Sequence, residues 1–419
     1  MWVKPRKGNT MYTLLKEHAN YLAKQAAEFA SDLVRTPSPS LCENSVARLV
    51  EKRMYQLGYD KVIVDDFGNV FGIIYGIDPS PVVLLNSHMD TVAPNEKEGL
   101  WEVPPYSGEL AGGKLHGVGS SDCKGGLAAQ IYAGYLLKRI MLPLRGTLIV
   151  AATVSEENGL SLGVQHLISK TLAEMNIKVD YAILGEPTGL GLFYGHDGWV
   201  EFRIGMDSPN PNYLQDAAKV VFQNLLNASE LKGLPGYLEL MNVEKPKFVT
   251  ESGNVLISFN RRLFPDDDTD KLAERIRDYS LQNISPEHNL KFDIKVREEV
   301  QRLQSGQTVQ VRFLSNAWET NPFSPLMDRA REALALAGCK NQPGKWKLPH
   351  LGMGTAGSIL TKRFNIPTVG YGPGLEEAAH SENEYVETDK ITEAILGTSS
   401  IVHSLVGVPV FGWTSDLEI

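Results

Sequence analysis

Three runs of almost purely apolar residues, "PVVLLN" (81–86), "TLIVAATV" (147–154) and "VDYAILG" (179–185), are separated by stretches whose apolar residues recur at helical spacing, "GGLAAQIYAGYLLKRIM" and "LGVQHLISKTLAEM". A strand that is apolar on both faces must be covered on both. When such strands alternate with amphipathic helices, the economical solution is a mostly parallel sheet with helices on each side. The fold class predicted is therefore α/β.

Before these runs, residues 11–34 and "CENSVARLVEKRMYQLGY" carry helical periodicity, and "DKVIVDD" and "NVFGIIYG" switch to strand-like runs. From about residue 190 the texture changes to "GWVEFRIGM", a helical "YLQDAAKVVFQNLLN", "NVLISFNRRL", a helical "DTDKLAERIRDYSLQ" and "LKFDIKVREEV". That order reads as a small α+β unit of the split βαβ, ferredoxin-like type. The α/β texture resumes with "SPLMDRAREALALAG", "IPTVGYG" and "DKITEAILGTSSIVHSLV". The predicted organisation is a first catalytic segment over 1–190, an inserted lid over 191–304 and a second catalytic segment over 305–419. A chain of 419 residues is long enough for two cores.

Composition narrows the function classes. With 42% hydrophobic and 22% charged residues the chain reads as an ordinary globular protein. Its net charge of −9, without a dense basic run, disfavours nucleic acid or an anionic membrane as partner. The three cysteines, Cys42, Cys123 and Cys339, suit neither a disulfide framework nor a thiolate zinc site. No stretch approaches the ~18 continuous apolar residues of a membrane span, and the N-terminus lacks a secretory pattern, so a cytoplasmic location is expected.

In open α/β sheets ligands bind beyond the carboxyl ends of the strands. His88 and Asp90 follow the first apolar run, Glu156 and Glu157 the second, Glu186 the third, and His380 follows "IPTVGYG". Asp122 sits in the glycine-rich "GVGSSDCKGG" ahead of a helix. Each alone has an ordinary explanation as a cap, a turn or a solvated group. Gathered at one sheet edge, several carboxylates are tolerable only if cations neutralise them. A donor set of nitrogen and oxygen suits zinc first, and also cobalt or manganese.

The motifs "SHMDTV", "GVGSSDCKGG", "SEENG", "GEPT" and "AHSENEYV" resemble, in order and spacing, those of the co-catalytic metallopeptidases that include glutamate carboxypeptidase, acetylornithine deacetylase, succinyl-diaminopimelate desuccinylase and aminoacylase. The resemblance spans nearly the whole chain. It implies a zinc-exopeptidase-like fold and two divalent metals bridged by Asp122, with His88 and Glu186 completing one site and Glu157 and His380 the other. It further implies Glu156 as general base, Asp90 as the group that accepts a hydrogen bond from His88 and orients it, and a homodimer formed through the lid. The substrate class implied is a small N-acylated amino acid or short peptide, cleaved at an amide bond.

For substrate recognition, "GTAGS" with Gly354, Thr355 and Ser358 resembles the family's carboxylate-holding loop without its usual acidic residue. Arg261 and Arg262 match an arginine-bearing lid strand. The family's lid histidine, which stabilises the oxyanion from a neighbouring subunit, is missing from "GMDSPNPNYLQ", and His196 is the nearest substitute in sequence. Two other readings follow: a metal-binding regulatory or low-activity homologue, and a metal aminopeptidase.

Overall fold

A computed structural model describes residues 10–408 apart from 96, 98–99, 159–160, 231–237, 239, 250–252, 286–288, 304–305, 341 and 348–353. The chain opens with two helices, Thr10–Val34 and Asn44–Gln56, and an antiparallel hairpin, Lys61–Val64 with Val70–Ile74. The hairpin extends a nine-stranded sheet, whose next members in space are Thr147–Thr153, Val82–His88, Tyr181–Leu184, Thr368–Gly370 and Leu192–His196. The four from Thr147–Thr153 to Thr368–Gly370 are mutually parallel, and both flanks are antiparallel.

All seven residues of Val82–His88 and all seven of Thr147–Thr153 are buried, as runs covered on both faces require. Alternation along the strand splits them between two cores. Val83 and Leu85 join the cluster formed with the helices Thr10–Val34, Gly125–Arg139 and Thr388–Val406. Val82 and Leu84 face the opposite cluster with Val164, Leu167, Trp318, Trp346 and Leu360. Among the described residues no helix is long and apolar enough to cross a membrane.

A second, antiparallel sheet carries Leu240–Met241, Asn254–Leu263, Gly198–Asp207 and Lys291–Val296 in that spatial order, with Lys247–Val249 and Leu314–Ser315 alongside. Its strands read with strict period two: Val200, Phe202, Ile204 and Met206 are buried against the helices Pro211–Glu230 and Thr269–Ser280, with Leu214, Val221, Leu225, Leu272 and Ile276. Asp268 caps the second of these helices by accepting from the N–H groups of Asp270 and Lys271. Entry to this sheet was expected at 191, but Leu192–His196 pairs within the large sheet and the crossing comes only after His196.

A further hairpin, Glu298–Arg302 with Thr308–Arg312, leaves the second sheet and packs Leu303 and Val311 into the main core. Its polar residues touch both parts of the molecule. Gln301 accepts from Asn158, and Gln307 donates to the backbone carbonyl of Asp66.

Candidate metal centre

The parallel strands end at one edge, and the ligand-type side chains gather there. His88 is the last residue of its strand and is buried. Its Nδ1 lies 2.9 Å from the backbone carbonyl of Asp90. A carbonyl only accepts, so Nδ1 carries a proton, and Nε2 is the nitrogen left to meet a cation. Nε2 points between two carboxylates, 3.1 Å from Asp122 Oδ1 and 3.7 Å from Glu186 Oε2. On the other side, His380 Nε2 lies 3.4 Å from Asp122 Oδ2 and 2.8 Å from Glu157 Oε2. The Asp122 carboxylate thus offers one oxygen to each histidine.

Three acceptor carboxylates around two imidazoles hold together only with positive charge among them. Several polar atoms are left open for it: Glu157 Oε1 and Glu186 Oε1 are buried without a hydrogen-bond partner. His380 Nε2 also lacks an aligned bond despite its short approach to Glu157, the geometry of two ligands facing a common point. The donor set His88, Asp122, Glu186 and the set Asp122, Glu157, His380 are each close enough to surround one ion. The residues fit two divalent cations. A third acidic group, Asp65, Asp66 and His166, is already satisfied: Asp65 accepts from the N–H groups of Phe67, Gly68 and Asn69, and Asp66 pairs with His166 and Lys170.

Burial pushes the Glu186 carboxyl up to about 7, with His88 opposing it. Burial also raises Glu156 well above the usual carboxylate range, and the charges of Glu186, Glu157 and Asp90 add to this. Burial would lower His380, but the close approach of the Glu157 carboxylate and the charges of Glu157 and Asp122 lift it to about 10. Facing acidic groups push all three in the direction that added positive charge would reverse.

Asp90 plays a different part from the one expected. Its carboxylate stands 3.7 Å from His88 Nδ1, and the bond to His88 comes from its backbone carbonyl instead. The carboxylate accepts from the N–H of Glu156 at 2.9 and 3.0 Å, from the N–H of Glu157 at 2.9 Å and from the Ser40 hydroxyl at 2.7 Å. The physical reason is the turn at Ser155 (φ 53°), which aims two successive N–H groups back at Asp90. One residue therefore ties together the ends of two strands. Glu156 Oε1 accepts from Ser161, which leaves its other oxygen free.

Two buried carboxylates at the site were not singled out by sequence reasoning. Glu384 accepts from the N–H groups of Gly119, Ser121 and Asp122 at 2.8, 2.8 and 3.0 Å and so shapes the loop that presents Asp122. It lies inside "AHSENEYV", so a signal existed. Glu43 accepts from the N–H groups of Leu41 and Ser155, and nothing in its sequence surroundings marks it.

The recognition residues fare less well. Arg261 is buried in the second sheet, paired with Asp267 at 2.6 Å and donating to the carbonyls of Leu238 and Arg262. Its guanidinium is spent on its own fold. Arg262 is part-exposed and 3.6 Å from Asp197. His196 is buried edge-on to Trp318 and Trp346. Its Nδ1 donates to the carbonyl of Asp197 at 2.7 Å, and its Nε2 accepts from the N–H of Thr355 at 3.0 Å. With both ring nitrogens engaged it is no oxyanion donor. It props the 354–358 loop, where Thr355 Oγ1 also accepts from Trp318 Nε1, and Ser358 is buried. Gly354 has no room for a Cβ, which would meet Ser315 Oγ at 2.4 Å. Met353, the residue before that motif, lies outside the described residues.

Residues 84–403 match the family described as "Peptidase family M20/M25/M40". The chain belongs to this peptidase family. It is by that membership a hydrolase. Over 392 residues, 90% of this chain and 93% of the relative, it is 26% identical to a protein of Escherichia coli K12 named "Uncharacterized protein YgeY". A "Probable succinyl-diaminopimelate desuccinylase" of Staphylococcus aureus is 34% identical over 125 residues, 30% of each chain. Among solved structures, the Bacillus subtilis YXEP protein, titled a dinuclear metal binding peptidase of family M20, superposes with a TM-score of 0.67 at 14% identity, covering 91% of this chain and 98% of that one. At that identity the likeness speaks for the fold.

Proposed function

We propose that this hydrolase of the M20 family cleaves an amide bond in a small N-acylated amino acid or short peptide, using two divalent metal ions, foremost zinc. The observation that carries the proposal is the Asp122 carboxylate, set with one oxygen toward His88 and the other toward His380, with Glu156 near enough to interact with the charges of His88, Glu186 and Glu157. Bound there, the two cations would polarise the scissile carbonyl and make a water acidic enough to attack it. The protein's own residues do the rest. Glu156, with one oxygen held by Ser161, takes the proton of the attacking water on the other and passes it to the departing nitrogen. Asp90 fixes the backbone of both glutamates, so that Glu157 would hold an ion while Glu156 would meet the attacking water.

Turnover of metal-loaded protein against a panel of N-acyl amino acids, dipeptides and amino-acid amides tests the reading. Hydrolysis of acylated amino acids or dipeptides supports it, preference for the amides turns it to an aminopeptidase, and no hydrolysis of any member overturns it. A second reading, a low-turnover metal-binding homologue, is favoured by one observation: His196 is committed to the Thr355 loop, so it cannot replace the missing lid histidine. Turnover about 100-fold below that of a relative bearing the histidine would support it. We further propose a homodimer through the second sheet, whose edge strand Lys291–Val296 pairs on one side only among the described residues, and a cytoplasmic location, supported by three free cysteines. Light scattering of the active protein at micromolar concentration checks the first.

A further inference from the structure

Lysine is almost never fully buried unless it is paired, yet Lys124, two residues past Asp122, is fully buried. Its side chain runs past Gly119, where a Cβ would come within 3.3 Å of Lys124 Cδ. Nζ donates to the backbone carbonyls of Leu33 and Thr36, each at 2.9 Å. Leu33 lies in the last turn of the helix Thr10–Val34, whose final carbonyls lack helical partners and form the negative end of its dipole. The ammonium group closes that end. The charges of Glu384 and Asp90 also act on it, and these are the carboxylates that hold the loops bearing Asp122 and the two glutamates. The segment gripped by Lys124 is itself stitched to the metal edge. Ser38 accepts from the N–H of Thr91 and donates to the carbonyl of Met89, Ser40 donates to Asp90, and Glu43 accepts from the N–H of Ser155.

We propose that Lys124 is a positioning residue of the metal centre, a clamp that roots the Asp122 loop in the connection between the first two helices and so sets Asp122 at its distance from His88 and His380. The inference rests on the two-metal reading above and concerns both ions alike, since Asp122 faces both histidines. The ligand at the end of Val82–His88 is placed by its strand's ladder, with partners on both sides. Asp122 precedes a helix and has no ladder, so its anchors come from elsewhere in the chain. Glu384 gathers the N–H groups of the loop, and Lys124 fastens its end to residues 33–36. A lysine suits the task because its methylenes pack in the core while the ammonium reaches carbonyls at the far end. Residues 33–43 then join the Asp122 loop to the strand ends of His88 and Glu156. Ligands aimed by such outer contacts lose affinity when the contacts are removed, although the contacts never touch metal or substrate.

Lys124→Met keeps an unbranched chain of similar length and removes the donors. Folded by circular dichroism, the variant should bind Zn2+ at least ~10-fold more weakly in chelator competition. Loaded with Zn2+, it should hydrolyse with kcat lowered ~10-fold or more and KM unchanged, since Lys124 meets no substrate. A lysine that only fills the core would lower the melting temperature and leave the zinc affinity of the folded protein as it was; that result, or a change confined to KM, overturns the proposal. Should the variant not fold, hydrogen exchange of the wild type decides. A segment that holds the ions in place is held by them in return, so the amides of residues 33–43 should exchange more slowly once Zn2+ is loaded. Unchanged exchange there overturns the proposal as well. Zinc affinity is read without substrate, which keeps the two readings apart: a protein that hydrolyses nothing, yet loses affinity on Lys124→Met, defeats the hydrolase reading and leaves the clamp standing. Wild-type protein that binds no Zn2+ would refute both.

Discussion

Glu156 and Glu157 are adjacent in sequence and share the backbone anchor of Asp90, yet their carboxylates meet different partners, Ser161 for one and His380 for the other. Their substitutions should therefore separate. Glu156→Gln is expected to keep both metals and lose turnover by ~100-fold or more, as for removal of a general base. Glu157→Ala should instead lose metal from the half-exposed side, seen as sub-stoichiometric zinc by elemental analysis. Arg261 gives the opposite case, a residue whose removal harms the fold and not the chemistry. Arg261→Ala strands Asp267 and should cost about 2–3 kcal/mol in urea unfolding while KM stays unchanged. His196 adds a pH signature. Burial depresses it to about 4, from an ordinary value of 6.5, so the unfolded chain binds the proton more readily. Its contribution is full above pH 6.5 and lost as pH falls towards 4, by up to roughly 3 kcal/mol. Unfolding midpoints between pH 7 and 4.5 should fall more steeply in wild type than in His196→Gln, which should also be less stable at pH 7.

At the scale of elements, what matters is how loops at strand ends are held. In the loop that carries Asp122, three N–H groups converge on the Glu384 carboxylate. Glu384→Gln replaces one of the two accepting oxygens with an NH2 that cannot accept, and lets the loop relax away from His88 and His380. We expect a metal affinity 10-fold to 100-fold weaker in chelator competition, with little change in helix content by circular dichroism. The hairpin Glu298–Arg302/Thr308–Arg312 ties the second sheet to the same edge through Gln301 and Asn158, next to Glu157. Its Arg297 stem pairs with Glu201 and Glu299, which roots it in the strand Gly198–Asp207.

For the molecule as a whole, the gathered carboxylates make metal part of the stability. Without cations Asp122, Glu157 and Glu186 repel one another in a buried place; ions that bind only the folded form relieve this by mass action. At zinc concentrations ~100-fold above Kd each site should add ~2.7 kcal/mol. The melting temperature should rise in steps with the first and second equivalents and fall back with a chelator. A flat melting curve across that titration would count against metal binding at this site.

How much of this was open to a reader of the sequence depends on the range of the forces involved. The parallel sheet, the split βαβ unit and the place of His88, Glu156 and Glu186 at strand ends follow from apolar periodicity, which is a local property of the chain; His380 comes from a turn beyond the strand Thr368–Gly370. The family motifs mark the donor set for the same reason, since each ligand travels with its own strand end. Periodicity was silent on side-chain partners. It could not show that Asp90 would turn its carboxylate to Glu156 and Glu157 and leave His88 to its backbone, because that depends on the left-handed turn at Ser155, 65 residues further along the chain. Nor could it show that Arg261 would be spent on Asp267, or that His196 would be walled in by Trp318 and Trp346. These are contacts between distant segments, decided by how the layers pack, and a buried polar group takes whichever partner the packing brings within reach.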